Sequence, residues 1–273
     1  MLQRDEIMDF FKLQRSHAKK ELGQNFLCNQ VIINNIIDLL KIDPKDKILE
    51  IGPGLGALTN EIVDKSQKYT VCEYDPKFVE YLEKAYGQTN IQINKGNFLK
   101  FNDFDFDKVI GNLPYYITSE ILLYIALNFK NLKLGVFMIQ KEAFNRIVAK
   151  KGDSDYNVLN ILLDYLFNIE KKFIVGASNF FPMPNVNSIV FTITPKEIDR
   201  NIVLPLYKTI KIMFNNRRKT IFNNLNALVN NKETTTLIIN KLKLNVNERP
   251  ENLDLNNFLD LTNILLNMKI IKL

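Results

Sequence analysis

Through about residue 195, short β-rich runs alternate with longer stretches whose apolar residues recur every three or four positions. The first kind comprises KILEI (47–51), YTVCEY (69–74), NIQIN (90–94), KVIGN (108–112), LGVFMIQ (134–140), FNIEKKFIV (167–175) and NSIVFTI (187–193). The second comprises ALTNEIVDK (57–65), PKFVEYLEKAY (76–86), SEILLYIALNF (119–129) and KEAFNRIVAK (141–150). Alternation at this pitch predicts a parallel sheet covered by helices on both faces. No helix separates the last two strands, so an antiparallel pair is expected at the sheet edge. Beyond Pro195 only helical spacing remains, in LPLYKTIKIMF, TIFNNLNALV, TTTLIINKLKL and LNNFLDLTNILL, the last with Asp254 as its N-cap. The expected division is an α/β domain over residues 1–195 and an all-helical one over 196–273.

Composition narrows the class. A hydrophobic content of 46% over 273 residues is ample for packed cores. No apolar run nears the roughly 18 residues of a membrane span, so no membrane is expected. The N-terminal MLQRDEIMDFFKLQR mixes acidic with apolar residues, unlike a secretory signal or a transit peptide. Cys28 and Cys72 read as reduced thiols, which together with that N-terminus predicts a cytoplasmic protein. His17, the one histidine, lacks neighbours at metal-ligand spacing, so no metal is expected. Charge is unevenly placed: residues 196–273 carry 13 basic and 7 acidic side chains, and the first 195 carry 23 of each. Such a basic tail suits a polyanionic partner, or simply a solvated helical face.

The first predicted strand runs into EIGPGLGALT (50–59), a strand, glycine turn and helix in the order that brings backbone N–H groups to a ligand. The spacing is G-x-G-x-G at Gly52, Gly54 and Gly56, unlike the G-x-G-x-x-G of dinucleotide sites. Glu73, 21 positions after Gly52, ends the next strand, where a carboxylate accepts ribose hydroxyls. An adenosine-type cofactor follows, and the absence of a lysine-bearing phosphate loop disfavours ATP.

The fourth strand breaks off in VIGNLPYYIT (109–118), where Gly111, Asn112 and Pro114 oppose strand continuation. At the carboxyl end of a parallel sheet this stretch faces the ligand crevice. An exocyclic amine on adenine is a poor nucleophile because its lone pair is delocalised into the ring. Two acceptors on its hydrogens, the Asn112 side-chain oxygen and a carbonyl of the Leu113–Pro114 step, would localise that pair on nitrogen. Proline stiffens the arrangement. Tyr115 then offers a stacking face worth roughly 1–3 kcal/mol per base, for a base that is flipped out or single-stranded.

These residues together resemble the ribosomal RNA adenine dimethyltransferase family, specifically its small-subunit branch, the KsgA type. The likeness runs from GQNFL (23–27) through EIGPGLGALT, NLPYY, QKEAFNRIVAK (140–150), FFPMPNVNS (180–188) and NNRRKTIFNNL (215–225) to RPENL (249–253). It implies a Rossmann-like class I methyltransferase domain that binds S-adenosyl-L-methionine, followed by a small all-helical domain that binds rRNA. The implied reaction is dimethylation at N6 of two adjacent adenosines in a hairpin near the 3′ end of 16S rRNA, on a 30S precursor, by a monomer. By the same likeness, Asn25, Leu27, Gly52, Gly54, Glu73, Asn97 and Asn112 contact the cofactor. Asn112, Leu113, Pro114 and Tyr115 hold the target amine and Phe180 closes over the base. Arg146, Arg217, Arg218 and Lys219 meet rRNA phosphates. His17, Lys19 and Lys20 suit an RNA contact or a solvated linker equally.

Two positions depart from the family pattern. Asn97 stands where an acidic residue is usual, which predicts cofactor binding weaker by about 1 kcal/mol. Asn187 stands where Asp is frequent. Among rival functions, the large-subunit branch that confers macrolide resistance differs in its RNA, and RRKTIFNNL and RPENL favour the small-subunit branch. A DNA adenine methyltransferase usually carries a separate recognition domain, for which the 78 residues after Pro195 are scant. A purely non-catalytic assembly factor is opposed by the intact NLPYY and glycine loop.

Overall fold

In the computed structural model, which describes residues 4–18 and 23–272, the chain opens with α1 (Arg4–Leu13), the two-residue strand β1 (Phe26–Leu27) and α2 (Gln30–Leu40). The alternation follows as β2 (Lys47–Ile51), α3 (Thr59–Ile62), β3 (Lys68–Glu73), α4 (Pro76–Tyr86), β4 (Ile91–Lys95), β5 (Lys108–Asn112), α5 (Thr118–Asn128), β6 (Leu134–Gln140) and α6 (Lys141–Ile147). After α7 (Val158–Leu166) come β7 (Phe167–Val175), the short β8 (Phe180–Phe181) and β9 (Ser188–Pro195). Helices α8 (Val203–Phe214), α9 (Ile221–Val229), α10 (Lys232–Lys241) and α11 (Leu255–Asn267) complete the order. Among the described residues no helix is long and apolar enough to cross a membrane.

The chain divides into two compact units, Met1–Phe144 with Asn168–Pro195, and Asn145–Phe167 with Lys196–Leu273. The first is built on a seven-stranded sheet in the order β4-β3-β2-β5-β6-β9-β7. Strands β4 to β6 are parallel and β9 runs antiparallel to β6. The predicted edge pair is thus β9 and β7, adjacent in the sheet with β8 intervening in the chain. β8 pairs instead with β1 in a separate two-stranded ribbon. The strand order turns back between β2 and β5, which opens a crevice at their carboxyl ends. Ile33, Ile36 and Leu40 of α2 pack on Ile48, Tyr69, Val71 and Ile110 of the sheet. α1 lays Ile7 and Phe11 against Phe26, Leu55 and Phe78.

The second unit corrects the expected boundary at residue 195. Its core joins Ile161 of α7 to Leu206, Ile210 and Met213 of α8, Leu225 of α9 and Phe258 and Leu261 of α11. VLNILLDYL buries Leu159, Ile161, Leu162, Leu163 and Leu166, and the helix packs against α8 with Ile161 in the shared core. Residues 145–167 therefore belong with the helical tail, although β7 and β9 return to the sheet.

Candidate active site

Where β2 ends, the chain must turn sharply enough for its backbone to line a ligand crevice. Gly54 does so at φ +57°, and a side chain there would stand 3.1 Å from the Phe26 ring. Its N–H donates to Glu73 Oε2 at 3.0 Å. The same carboxylate accepts at Oε1 from the N–H groups of Tyr74 (2.8 Å) and Asp75 (2.9 Å). Burial raises the Glu73 pKa, and these three backbone donors oppose the shift. Three of its four acceptor positions are filled, so Glu73 has one left for a ribose hydroxyl, where the sequence suggested two. Asp75 caps α4 through Lys77 N–H (3.1 Å) and accepts from Gln24 Nε2 (3.2 Å).

β5 closes the other side. Gly111 is required there because a Cβ would lie 2.7 Å from the Ile51 carbonyl oxygen on β2. The next residue, Asn112, donates through Nδ2 to the Asn25 carbonyl at 3.2 Å. That bond fixes the amide orientation and leaves Oδ1 buried without a hydrogen-bond partner. The Pro114 carbonyl is already engaged by Thr118 Oγ1 (3.0 Å) and Ile117 N–H (3.3 Å). Among the described residues no donor reaches the Leu113 carbonyl. Leu113 itself is held by its N–H to the Met138 carbonyl (3.0 Å) with its side chain buried. An orphaned side-chain acceptor and, among the described residues, an unengaged carbonyl thus belong to consecutive residues at the end of β5.

Asn112 and Pro114 border a cleft of about 370 Å³, whereas Leu113, expected beside them, is buried and does not line it. Of the residues singled out in the sequence, Asn25, Leu27, Gly52, Gly54, Glu73, Asn97, Asn112 and Pro114 line it. Asn97 Oδ1 accepts from Leu99 N–H at 2.9 Å, so its oxygen is already partly committed. Two expected roles shift. Tyr115 does not line the cleft: its ring packs over Gly23 and its hydroxyl faces Ser188 and Asn25. Of the two tyrosines it is Tyr116, 51% exposed, that lines the cleft. Phe180, paired with Leu27, is fully buried in the cluster that holds Leu27, Met138 and Val190, and does not line the cleft.

Sequence reasoning gave no role to Glu50, yet it lines the cleft at 2% exposure. Its Oε2 accepts from Thr59 Oγ1 (2.7 Å) and from the Tyr69 hydroxyl. Burial pushes its carboxyl up to about 7. The signal was an acidic residue between Leu49 and Ile51 in the buried strand KILEI. Cys72 also borders the cleft, and burial pushes its thiol up to about 12, leaving no thiolate nucleophile.

The basic residues expected to meet RNA lie in the second unit. Arg218 and Lys219 are exposed. Arg146 is exposed and 3.9 Å from Asp155. Arg217 is half-buried and occupied: Nη2 donates to the Asp153 carbonyl (3.4 Å) and Nε lies 3.8 Å from Glu251 Oε2. In the N-terminal basic stretch His17 is exposed, while Lys19 and Lys20 lie outside the described residues.

The ribosomal RNA adenine dimethylase family matches residues 15–267. The ribosomal RNA small subunit methyltransferase A of Mycoplasma mycoides is 36% identical over 264 residues, 90% of this chain and 97% of its own. That of Mycoplasmopsis synoviae is 39% identical, with 87% and 93% covered. The crystal structure of a dimethyladenosine transferase from Plasmodium falciparum superposes with a TM-score of 0.76 at 28% identity, covering 90% of this chain and 98% of its own. The 23S rRNA methyltransferase ErmE shares the fold (TM-score 0.61, 22% identity, 87% and 98% covered). With cleft, glycine loop and β5 terminus in this arrangement, the chain belongs to the ribosomal RNA adenine dimethylase family.

Proposed function

We propose that this chain dimethylates N6 of two adjacent adenosines in the 3′-terminal hairpin of 16S rRNA, acting as a cytoplasmic monomer on a precursor of the 30S subunit. The observation that carries the reading is the orphaned Asn112 Oδ1 at the cleft, held in place by its own nitrogen, with the Leu113 carbonyl the next acceptor along the chain. A buried acceptor left unpaired is unfavourable by about 1–3 kcal/mol, and a primary amine with two hydrogens relieves it. The two acceptors take one hydrogen each and direct the nitrogen lone pair out of the purine plane. S-adenosyl-L-methionine, when bound, supplies the methyl group on a sulfonium leaving group. The residues present fit it: Gly52 and Gly54 allow close approach, Glu73 keeps an acceptor for the ribose, and Asn97 lines the same cleft. No strong base is needed, because the alkylated amine is acidic enough to lose its proton to water. Positioning and electrostatics carry the rate.

The small-subunit assignment is favoured by relatives named for that subunit that align over nearly their whole length. Incubating the protein with labelled cofactor and under-methylated small subunits, then mapping the product, tests it. Two adjacent dimethyladenosines near the 3′ end are expected. Label confined to large-subunit RNA would move the chain to the other branch, and no label at all would make it an assembly factor. Asn112→Ala should lower kcat by about 10²–10³ while RNA binding holds; retained dimethylation would refute the clamp.

A further inference from the structure

Glu50 is buried in the cleft wall and has no part in the chemistry above. Strand register fixes where it stands. β2 lies between β3 and β5, with Glu50 opposite Val71 on one and Ile110 on the other. Partnered residues of parallel strands share a face, and side chains alternate along each strand. Glu50, Glu73 and Asn112 therefore point to the same side of the sheet. Glu73 and Asn112 lie two residues further along the flanking strands, roughly 6.6 Å beyond Glu50. Glu50 thus forms the apex of a triangle with the ribose acceptor at one corner and the target-amine acceptor at the other. On the proposed reading of the cleft, the atom joining ribose to the transferable methyl must lie between those corners. That atom is a positively charged sulfur.

The carboxyl is set up to answer such a charge. Both hydroxyl donors, Thr59 and Tyr69, sit on Oε2. Oε1 has no donor among the described residues. The titratable groups facing Glu50 are Tyr69 and Glu73 from β3 and Tyr86 from α4, and no described basic side chain pairs with it. Burial and the Glu73 charge favour the protonated carboxyl, and the Tyr69 and Thr59 bonds oppose them, so the group is poised near neutrality.

We propose that Glu50 is the buried counter-charge for the cofactor's sulfonium, a specificity-determining residue that makes the cleft prefer the charged methyl donor to its neutral thioether product. Glu50 releases its proton to solvent when the charged donor binds. It takes a proton back once methyl transfer has left the sulfur neutral, which favours product release.

The test is calorimetric titration of the full chain with S-adenosylmethionine and S-adenosylhomocysteine between pH 6 and 8.5. The ligands differ only in the methyl group and its charge. The product-to-donor ratio of Kd should rise at least about fivefold over this range, with proton release on binding the donor alone. Glu50→Gln should hold the ratio constant with pH. Tyr69→Phe, which removes a donor from the carboxylate, should move the midpoint to higher pH. If both ligands tighten in parallel, Glu50 answers the ammonium they share and the proposal is overturned. A flat ratio in the wild-type protein overturns it too, without recourse to any variant. Both results leave the reading of the cleft intact, whereas failure of either ligand to bind at any pH would overturn that reading and the inference together.

Discussion

At the scale of single residues, the site works by committing one end of a group so that the other is free. Asn112 ties down its nitrogen and frees its oxygen. Asn97 does the reverse, placing its only oxygen on Leu99 N–H. Aspartate there would keep that bond and add a second oxygen with charge for the cofactor's adenine amine. Asn97→Asp should therefore tighten S-adenosylmethionine binding roughly fivefold, about 1 kcal/mol; an unchanged Kd by titration sinks the idea. The tyrosines divide similarly. Tyr116→Ala removes an exposed ring from the cleft and should raise the KM for RNA about tenfold, within the usual 1–3 kcal/mol of base stacking. Tyr115→Ala should chiefly lower Tm, since that ring supports Gly23. Equal KM effects of the two changes would contradict their placement. The sequence shows two adjacent tyrosines after a proline. Which one faces the ligand depends on the turn of a single 3-10 segment, Tyr115–Ile117, and periodicity says nothing about that. The Phe180 orientation was hidden for the same reason, since a two-residue ribbon leaves too short a pattern to read.

At the scale of elements, strands whose apolar residues serve a buried parallel sheet were legible almost to the residue, as in KILEI, KVIGN and LGVFMIQ. Helices were harder wherever apolar residues surround the axis or are β-branched. QVIINNIIDLL resembles a strand, yet Asn29 caps it by accepting from Val31 and Ile32 N–H, and Ile33, Ile36 and Leu40 make one buried stripe. α7 exposes little beyond Asp164, so its apolar residues nearly surround the axis. The helix expected over 57–65 shrinks to Thr59–Ile62 because Val63 leaves helical geometry and Asp64 adopts φ +63°. Connections hide as well: the basic run 217–219 reads as uniform, but the fold uses its members differently. Arg217 ties the α8–α9 turn to Asp153 and Glu251, and Gly152 N–H bonds the Glu251 carbonyl (3.0 Å). Arg217→Ala should thus destabilise the helical unit by about 1–3 kcal/mol, seen as a lower Tm. Arg218→Ala with Lys219→Ala should leave Tm within a degree or two. It should weaken RNA binding and flatten the slope of log affinity against log salt by roughly one unit for each phosphate no longer neutralised. The opposite assignment of stability and salt effects would show that Arg217 is the RNA ligand.

At the scale of the whole molecule, charge follows the units. The first carries 20 basic and 20 acidic residues, and the second 16 and 10, so the whole surplus of +6 belongs to the helical unit. Three buried acids of the neutral first unit, Glu50, Glu73 and Asp75, line the cleft, and one of them has a consequence for stability. The Glu50 carboxyl, ordinarily near 4.5, is raised to about 7 by burial. Between those values the folded chain keeps a proton that the unfolded chain has released. The unfolded state then binds fewer protons, so stability falls as pH rises. The contribution is fully present below about pH 4.5 and is lost as pH passes through 7. A shift of this size corresponds to roughly 3 kcal/mol at most. Ligand-free protein should accordingly show a Tm that declines between pH 5 and 8. Glu50→Gln should flatten that decline, and the difference between the two curves isolates the one carboxyl from every other titrating group. Saturating S-adenosylmethionine should restore the wild-type Tm more at pH 8 than at pH 6, because the ionised carboxylate gains its partner only then. Parallel curves for wild type and variant would mean that Glu50 is ionised throughout, and that hydrogen bonds from Thr59 and Tyr69 outweigh its burial.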